Sequence, residues 1–147
     1  MFKGKTALVT GSTSGIGLAI ATAYARNGAH VVLNGFGDPA EVEKTRAKLA
    51  ADHGVTVHYD GADLMKADAV GAMMKRALEA FGTVDILVNN AGIQFIAPVE
   101  EFPPAKWDAI IALNLTASFH TIRLAVPGMT YGSPGMGSED SRDAYDV

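Results

Sequence analysis

Short apolar runs alternate with helix-like stretches along the first 126 residues, and this alternation constrains the fold more than any other feature. The runs predict four strands, at Thr6–Thr10, His30–Asn34, Val55–Tyr59 and Val84–Asn89. Because apolar residues follow one another without a polar alternation, both faces of these strands are expected to be buried. Strands of this kind separated by helices are typical of a parallel sheet covered on both sides. Right-handed crossovers then predict a Rossmann-type, doubly wound α/β sheet.

The helices between the strands are predicted from spacing and from their end residues. The clearest stripe of apolar residues at helical spacing runs from Val70 to Phe81. Asp38 before Pro39 predicts the start of the second helix, because an aspartate side chain caps a helix and proline suits its first position. A long last helix is predicted from Pro103-Pro104 onward, with Trp107 and Ile122 among its apolar residues.

Composition excludes several classes of protein. The chain of 147 residues fits one domain, and it contains no cysteine for a disulfide or thiolate metal site. Its four histidines show no short ligand spacing, so no metal site is predicted. A formal charge of −4 without a basic patch argues against nucleic acid. With no apolar run of membrane length and no secretory leader pattern, we expect a cytoplasmic protein without a membrane span.

Residues 127–147 differ from the rest of the chain. Glycine, proline, serine and acidic residues dominate them, and no hydrophobic period is present. Such a segment buries too little apolar surface to offset its ordering entropy. The sequence therefore predicts a domain at 1–126 and an irregular, disordered tail at 127–147.

A glycine-rich loop, Gly11-x-x-x-Gly15-x-Gly17, separates the first strand from the first helix. Glycines permit a tight turn and close approach of the backbone to a ligand, and the helix N-terminus offers unpaired N–H groups to an anion. A plain strand-to-helix turn is the alternative. The strand–loop–helix context favours the pyrophosphate of a dinucleotide.

Together with Asn89-Asn90-Ala91-Gly92 after the fourth strand, this loop resembles the classical short-chain dehydrogenase/reductase family. The resemblance covers about Met1 to Met129 and implies a nicotinamide dinucleotide as cofactor. It implies that the pyrophosphate side is lined by Gly11, Thr13, Ser14, Gly15, Ile16 and Gly17. It places Asn90, Ala91 and Gly92 under the ribose and nicotinamide.

The end of the second strand bears on which dinucleotide is bound. A 2′-phosphate attracts arginine, and the segment from Asn34 to Asp38 contains no arginine or lysine. NAD is therefore favoured over NADP. Phe36 is expected to pack on the adenosine, whereas Asp38 is expected to cap the following helix rather than bind the ribose.

The resemblance also assigns residues after the third strand and in the last helix. It implies that Asp63 accepts a hydrogen bond from the adenine amine, flanked by Ala62 and Leu64; a helix-capping role for Asp63 is compatible with this. Leu113 is implied as a cofactor contact, and Asn114 as the asparagine of the catalytic tetrad that organises a water in the proton relay. The alternative for Asn114 is a core amide bonded to a neighbouring carbonyl.

Within the family, the segments Asn34–Ala40, Asn89–Gln94 and Ala97–Glu100 most resemble NAD enzymes that interconvert a short 3-hydroxy acid and its ketone. Gln94 then implies a contact with the substrate carboxylate. The resemblance also implies homo-oligomers, at least for full-length members. A ketoacyl reductase of the same family is the rival interpretation, and Gln94 and Phe36 argue against it.

The serine, tyrosine and lysine of the family's tetrad have no match in this sequence. No lysine follows Lys106, and neither Tyr131 nor Tyr145 begins a Tyr-x-x-x-Lys motif. We therefore expect very low activity, because a positioned acid or base contributes on the order of 10²–10⁴-fold. A non-catalytic dinucleotide-binding fragment is the alternative. The tail is interpreted as an out-of-frame terminus rather than a regulatory segment, and Ile86–Val88 is expected to form an open sheet edge.

Overall fold

The computed structural model describes the backbone of residues 1–131 and the side chains of residues 1–129. Strands and helices alternate as the sequence predicts. The strands are β1 (Thr6–Val9), β2 (His30–Asn34), β3 (Val57–Asp60) and β4 (Ile86–Val88). The helices are α1 (Gly15–Arg26), α2 (Pro39–His53), α3 (Ala67–Phe81), α4 (Pro104–Ile111) and α5 (Ala117–Tyr131).

The strands form one parallel sheet in the order β3-β2-β1-β4. Val9 lies between Leu33 of β2 and Val88 of β4, so the carboxyl ends of the three strands meet at one edge of the sheet. This confirms the predicted Rossmann-type fold class. Within the described residues β4 pairs only with β1, which leaves the expected open edge.

Two hydrophobic clusters cover the two faces of the sheet. On one face, Leu8 and Val32 pack with α3, including the fully buried Met73. On the other face, Val9 and Leu33 pack with α1 and α2. Successive residues of one strand thus serve opposite faces, as the unbroken apolar runs indicate.

The ends of the elements have identifiable causes. The Asp38 carboxylate accepts hydrogen bonds from the N–H groups of Ala40 and Glu41 at 3.0 and 3.1 Å, which confirms the predicted cap of α2. β4 is shorter than predicted because it begins after Asp85. The carboxylate of Asp85 takes the Thr6 N–H at 2.8 Å and the Lys5 ammonium at 2.9 Å, and so ties its side chain to the start of β1.

A π-helical turn at Ala112–Thr116 joins α4 to α5 in one continuous helix. The Ala117 N–H donates to the Ala112 carbonyl, five residues back, in place of the usual four. By length and mean hydropathy, 1.4, the stretch Pro104–Met129 also qualifies as a membrane span. Its residues Ala117, Thr121 and Ala125 are buried in the domain, at the i, i+4, i+8 spacing of a helix that packs on one side.

The last helix continues past the predicted domain boundary. α5 runs through Pro127 to Tyr131, so residues 127–131 of the predicted irregular tail are helical. Pro127 lies inside this helix, ten residues after its start, and removes one backbone N–H donor there. Residues 132–147, with the rest of the predicted tail, lie outside the described residues.

Candidate functional site

The glycine loop lies at the carboxyl edge of the sheet, between β1 and α1, and two of its glycines are required by packing. A Cβ on Gly17 would collide with the Gly11 carbonyl oxygen and lie 2.6 Å from Asn90 Nδ2. A Cβ on Gly11 would lie 2.9 Å from the Ala91 Cα. The backbone of the loop therefore packs directly against the segment after β4.

Gly15 is different, because open space surrounds the position of its Cβ, while its φ of +56° disfavours other residues. It begins α1 after Ser14, whose side chain makes no capping bond. In the described part of the chain, the N–H groups of Gly15, Ile16 and Gly17 have no hydrogen-bond acceptor. Three unpaired donors at the positive end of a helix beside open space fit a phosphate group.

The segment after β4 holds the glycine loop in place through hydrogen bonds. Asn90 Nδ2 donates to the carbonyl oxygens of Thr10 and Gly11, both at 3.0 Å. The Thr10 hydroxyl accepts from the N–H groups of Asn90 and Ala91 at 3.0 Å and donates to the Val88 carbonyl at 3.3 Å. Asn90 and Ala91 thus lie against the loop, while their predicted place under the ribose and nicotinamide stays a prediction. No role was predicted for the Thr10 hydroxyl. The sequence did show a hydroxyl residue between the buried strand and the first glycine.

Ser12 is a second positioning residue that the motif alone did not reveal. Its fully buried hydroxyl donates to the Val9 carbonyl at 2.6 Å and accepts from the Asn34 N–H at 3.1 Å. The Asn34 side chain in turn donates to the carbonyl oxygens of Asp60 and Ala62. One chain of hydrogen bonds therefore joins the carboxyl ends of β1, β2 and β3.

The turn after β2 is held through its backbone and leaves the Phe36 ring free. Thr13 Oγ1 donates to the Phe36 carbonyl and the Tyr59 hydroxyl to the Gly35 carbonyl, both at 2.8 Å. A Cβ on Gly35 would lie 2.8 Å from Thr13 Oγ1, so this contact also requires glycine. Phe36 is 67% exposed, and its packing on the adenosine stays a prediction.

An arginine beside the end of the neighbouring strand β3 is already engaged. Arg76 donates from Nε and one terminal nitrogen to the two carboxylate oxygens of Asp60, at 2.7 and 3.0 Å, and this pairing raises the pKa of Arg76. Asp60 also accepts from the Ala62 N–H. This bidentate pair holds the end of β3, and no spacing pattern in the sequence predicts it.

The capping role expected of Asp63 is wrong. Lys66 occupies the position before α3, and the Asp63 carboxylate accepts from the Met65 N–H at 3.1 Å. Asp63 therefore stabilises a turn ahead of the helix, because its side chain reaches only two residues along the chain. Leu64, expected beside a base, is buried in the core under this turn, and Ala62 is half-buried.

Asn114 lies in the π-helical turn and pairs with the backbone of Ile93. Its Oδ1 accepts from the Ile93 N–H at 3.0 Å, and its Nδ2 donates to the Ile93 carbonyl at 2.9 Å. The alternative of an amide bonded to a carbonyl is thus observed, although the side chain is exposed rather than in the core. One lone pair and one N–H of the amide remain for a further partner. Leu113 beside it is half-buried against the core.

Gln94 extends from the same segment and is exposed, without a hydrogen-bond partner among the described residues. Aromatic rings follow it: Phe95 meets Phe102 edge-on at 5.4 Å between centroids, and the Lys106 ammonium lies 5.7 Å above the Phe95 ring. The structure thus brings Gln94, Gly92 and Asn114 into one region of the chain, adjoining the loop through Asn90.

Several known proteins have sequences similar to this chain. The sequence profile described as short chain dehydrogenase matches residues 5–137. D-beta-hydroxybutyrate dehydrogenase of Cupriavidus necator is 58% identical over 88% of this chain and 49% of that protein. The enzyme of that name from Rhizobium meliloti is 52% identical over 85% of this chain and 48% of that protein. The chain spans about half the length of the curated relatives it matches.

Solved structures of short-chain oxidoreductases have a similar fold. L-sorbose reductase from Gluconobacter frateurii, complexed with NADPH and L-sorbose, superposes with a TM-score of 0.82 and 37% identity over 87% of this chain and 48% of that chain. A metagenomic short-chain oxidoreductase in complex with NADP gives a TM-score of 0.80 and 38% identity, over 87% and 57% of the two chains.

Proposed function

This chain belongs to the short-chain dehydrogenase family, and from that premise we propose that it binds NAD through residues 11–17 as the cofactor half of a 3-hydroxybutyrate dehydrogenase. The observation that carries the proposal is the set of unpaired N–H groups at Gly15, Ile16 and Gly17. These donors adjoin open space at a helix N-terminus, while the loop beneath is locked by Asn90. The cradle is therefore preorganised, so little ordering entropy opposes binding.

The choice of NAD rests on charge at the turn after β2. Residues 34–43 contain no lysine or arginine, and Arg76 is engaged by both oxygens of Asp60. A 2′-phosphate would lie near the Asp38 carboxylate without a cation to neutralise it. The solved relatives named above hold NADPH or NADP, so the choice of NAD for this chain rests on the turn after β2 and not on those structures.

The choice of substrate rests on the two D-beta-hydroxybutyrate dehydrogenases and on Gln94. An amide N–H at Gln94 suits one oxygen of a short carboxylate, and the exposed side chain is free to make that bond. Asn114, held at Ile93 but with a spare N–H and lone pair, is suited to orient a water in a proton relay.

When bound, NAD supplies the acceptor for the hydride from the hydroxyl carbon. The hydroxyl proton must then leave, and no tyrosine in the sequence has a lysine four residues later to serve as the usual base. We therefore propose that the 147-residue chain binds the dinucleotide and turns substrate over at least about 10²-fold more slowly than a complete enzyme. The missing motif favours a second candidate function, a dinucleotide-binding chain without catalysis.

Calorimetric titration tests the cofactor proposal. We expect NADH to bind with 1:1 stoichiometry and NADPH more weakly. Ile16→Glu places a carboxylate beside the unpaired N–H groups and should weaken NADH at least tenfold while preserving thermal stability, because acidic residues suit a helix N-terminus. Val99→Glu, at an exposed position remote from the loop, is the charge-matched control. Tighter NADPH binding would overturn the choice of NAD, and equal loss in both variants would overturn the site.

Turnover tests the substrate proposal. NADH formation from D-3-hydroxybutyrate is expected to be at or near background for the purified 147-residue chain. Robust turnover would contradict the proposed loss of the base. Weak turnover that Gln94→Ala abolishes, with NADH affinity unchanged, would identify the residual reaction as belonging to this site.

A further inference from the structure

A second concave site lies at the opposite edge of the sheet, where the strands begin. It is a cavity of about 620 Å³ between the N-terminal turn, the end of α1 and the end of α2. Lys3 and Gly4 contribute from the turn, Arg26 from α1 and His53 from α2, and His30 opens β2 beside them. None of these residues belongs to the glycine loop or to the segment after β4.

The charged side chains that line this cavity are all basic or histidine. No aspartate or glutamate is among its described lining residues. Lys3 and Arg26 are also unusual within the described residues, because neither forms an ion pair or a side-chain hydrogen bond. The remaining described lysines and arginines pair with carboxylates or, at Lys106 and Arg123, lie over aromatic rings.

Uncharged donors add to this arrangement. The backbone N–H groups of Lys3 and Gly4 have no acceptor among the described residues. Nδ1 of His30 accepts from the Thr56 N–H at 3.1 Å, so the neutral ring carries its proton on Nε2, as a donor. The edge of the cavity thus offers both N–H donors and cations.

The ends of α1 and α2 at the cavity are partly capped. The Asn27 side chain donates to the Ala23 carbonyl, and the Gly28 N–H donates to the Ala25 carbonyl, both at 2.9 Å. At the end of α2 the Gly54 N–H donates to the Ala50 carbonyl at 2.9 Å. The partial negative charge of these helix ends opposes an anion, and the cations of Lys3 and Arg26 must offset it.

We propose that this cavity binds a small anion of two or more negative charges, independently of the dinucleotide site. The competing account is that Arg26 and His53 only stabilise the ends of their helices, as basic residues in a last turn do. That account leaves out Lys3, and it predicts no saturable ligand binding.

Inorganic pyrophosphate and citrate are the probes, added to the untagged chain and followed by amide NMR shifts at low ionic strength. We expect saturable shifts at residues 3, 4, 26–28, 53 and 54, together with separate pyrophosphate shifts at 11–17. The double variant Lys3→Gln/Arg26→Gln should weaken the first set about tenfold and leave the second set unchanged, as expected for two partly exposed ion pairs.

The control variant Lys44→Gln/Lys75→Gln removes the same charge from exposed positions away from the cavity and should leave both sets of shifts unchanged. Circular dichroism shows whether each variant is folded. Shifts that never saturate, or that fall equally in the two double variants, would overturn the proposal in favour of nonspecific attraction. Unsaturable shifts with a lowered melting temperature in Lys3→Gln/Arg26→Gln would mean that the cations only stabilise the fold.

Discussion

The two ends of the candidate site differ in how far their residues are buried and paired. Around the glycine loop, Thr10, Ser12 and Asn34 are buried and their polar atoms are paired. On the side of β4 and α5 the sheet ends in an unpartnered strand among the described residues, and Leu115 and Phe119 are 63% and 60% exposed. Apolar side chains with that exposure are expected to pack against another protein surface.

Under the proposed function, this difference separates the residues that bind the cofactor from the residues that act in the reaction. The cradle draws on residues 10–17, the end of β2 and the segment after β4, all of which lie in the described sheet and hold one another. Gln94 and Asn114 belong to the open side, where Asn114 bonds to the Ile93 backbone and Gln94 has no hydrogen-bond partner among the described residues. We therefore expect changes to the buried, hydrogen-bonded residues of the cradle to affect stability and cofactor affinity together. Changes to its exposed Ile16 should affect affinity alone, and changes on the open side should affect neither.

Gly17→Ala should have the largest effect. The new Cβ meets the Gly11 carbonyl and Asn90 Nδ2, two atoms held by their own hydrogen bonds, so the loop must shift. Overpacking of this kind costs about 1–3 kcal/mol. Denaturant unfolding should show that loss, and NADH titration should show no binding.

Gly71→Ala is the matched control. Gly71 lies within α3, and no atom lies within 4 Å of its Cβ position, so alanine should stabilise the helix by about 0.5–1 kcal/mol. If both variants lost the same stability, the loop would be no more tightly packed than an ordinary helix surface, and the contrast between the two ends would fail.

Thr10→Val tests the hydrogen bonds under the loop. Valine keeps the shape of the side chain but leaves the N–H groups of Asn90 and Ala91 without their acceptor, at a cost of about 1–3 kcal/mol. Amide exchange should accelerate at both residues. Thr22→Val, which removes only a bond from the α1 surface to the Leu18 carbonyl, should change stability by less than about 0.5 kcal/mol. Unchanged exchange at residues 90 and 91 would contradict the assigned role of Thr10.

The fold was predictable because its signals are local. Unbroken apolar runs and helical stripes determined the parallel sheet, and Asp38 before Pro39 determined the start of α2. The glycine positions were predictable because the chemistry of a tight loop leaves few alternatives. Gly11 and Gly17 are closely packed against their neighbours, and their predicted place beside a pyrophosphate stays a prediction.

The remaining features depend on contacts between residues far apart in sequence. Asp60 pairs with Arg76, Ser12 pairs with Asn34, and no spacing rule announces either pair. The π-helical turn around Asn114 also was not predicted, because no residue type or spacing in the sequence marks a single turn of this kind. For Asp63, the sequence showed an acidic residue near a helix start but not that the turn before α3 would place Lys66 at the cap position.

On the open side, Leu115→Gln/Phe119→Gln should reduce association without lowering stability. Both side chains are more than half exposed, so their replacement costs the fold little. Sedimentation velocity of the unmodified chain should show concentration-dependent association that the double variant reduces. Val99→Gln alters an equally apolar, more exposed residue outside this helix and should leave association unchanged. A double variant that unfolds would show that this face is part of the core.

The smallest effect is expected away from the cradle, at the amino end of β3, where Arg46 ties α2 to Val57. Arg46 donates to both oxygens of Glu43 and to the Val57 carbonyl, and this contact lowers the pKa of Glu43 below its ordinary 4.5. A lowered pKa stabilises the fold above the unfolded value, and that contribution is lost as pH falls through the folded value. Glu43→Gln should therefore melt slightly lower than the unmodified chain at pH 7, with the two curves converging in acid. Glu79→Gln, whose carboxylate lies 3.8 Å from Lys75, should show a smaller difference at pH 7. A difference at Glu43 that persists below pH 3 would mean that the amide perturbs packing rather than charge. The contact of Arg46 with Glu43 would then be as sensitive to packing as the glycine loop.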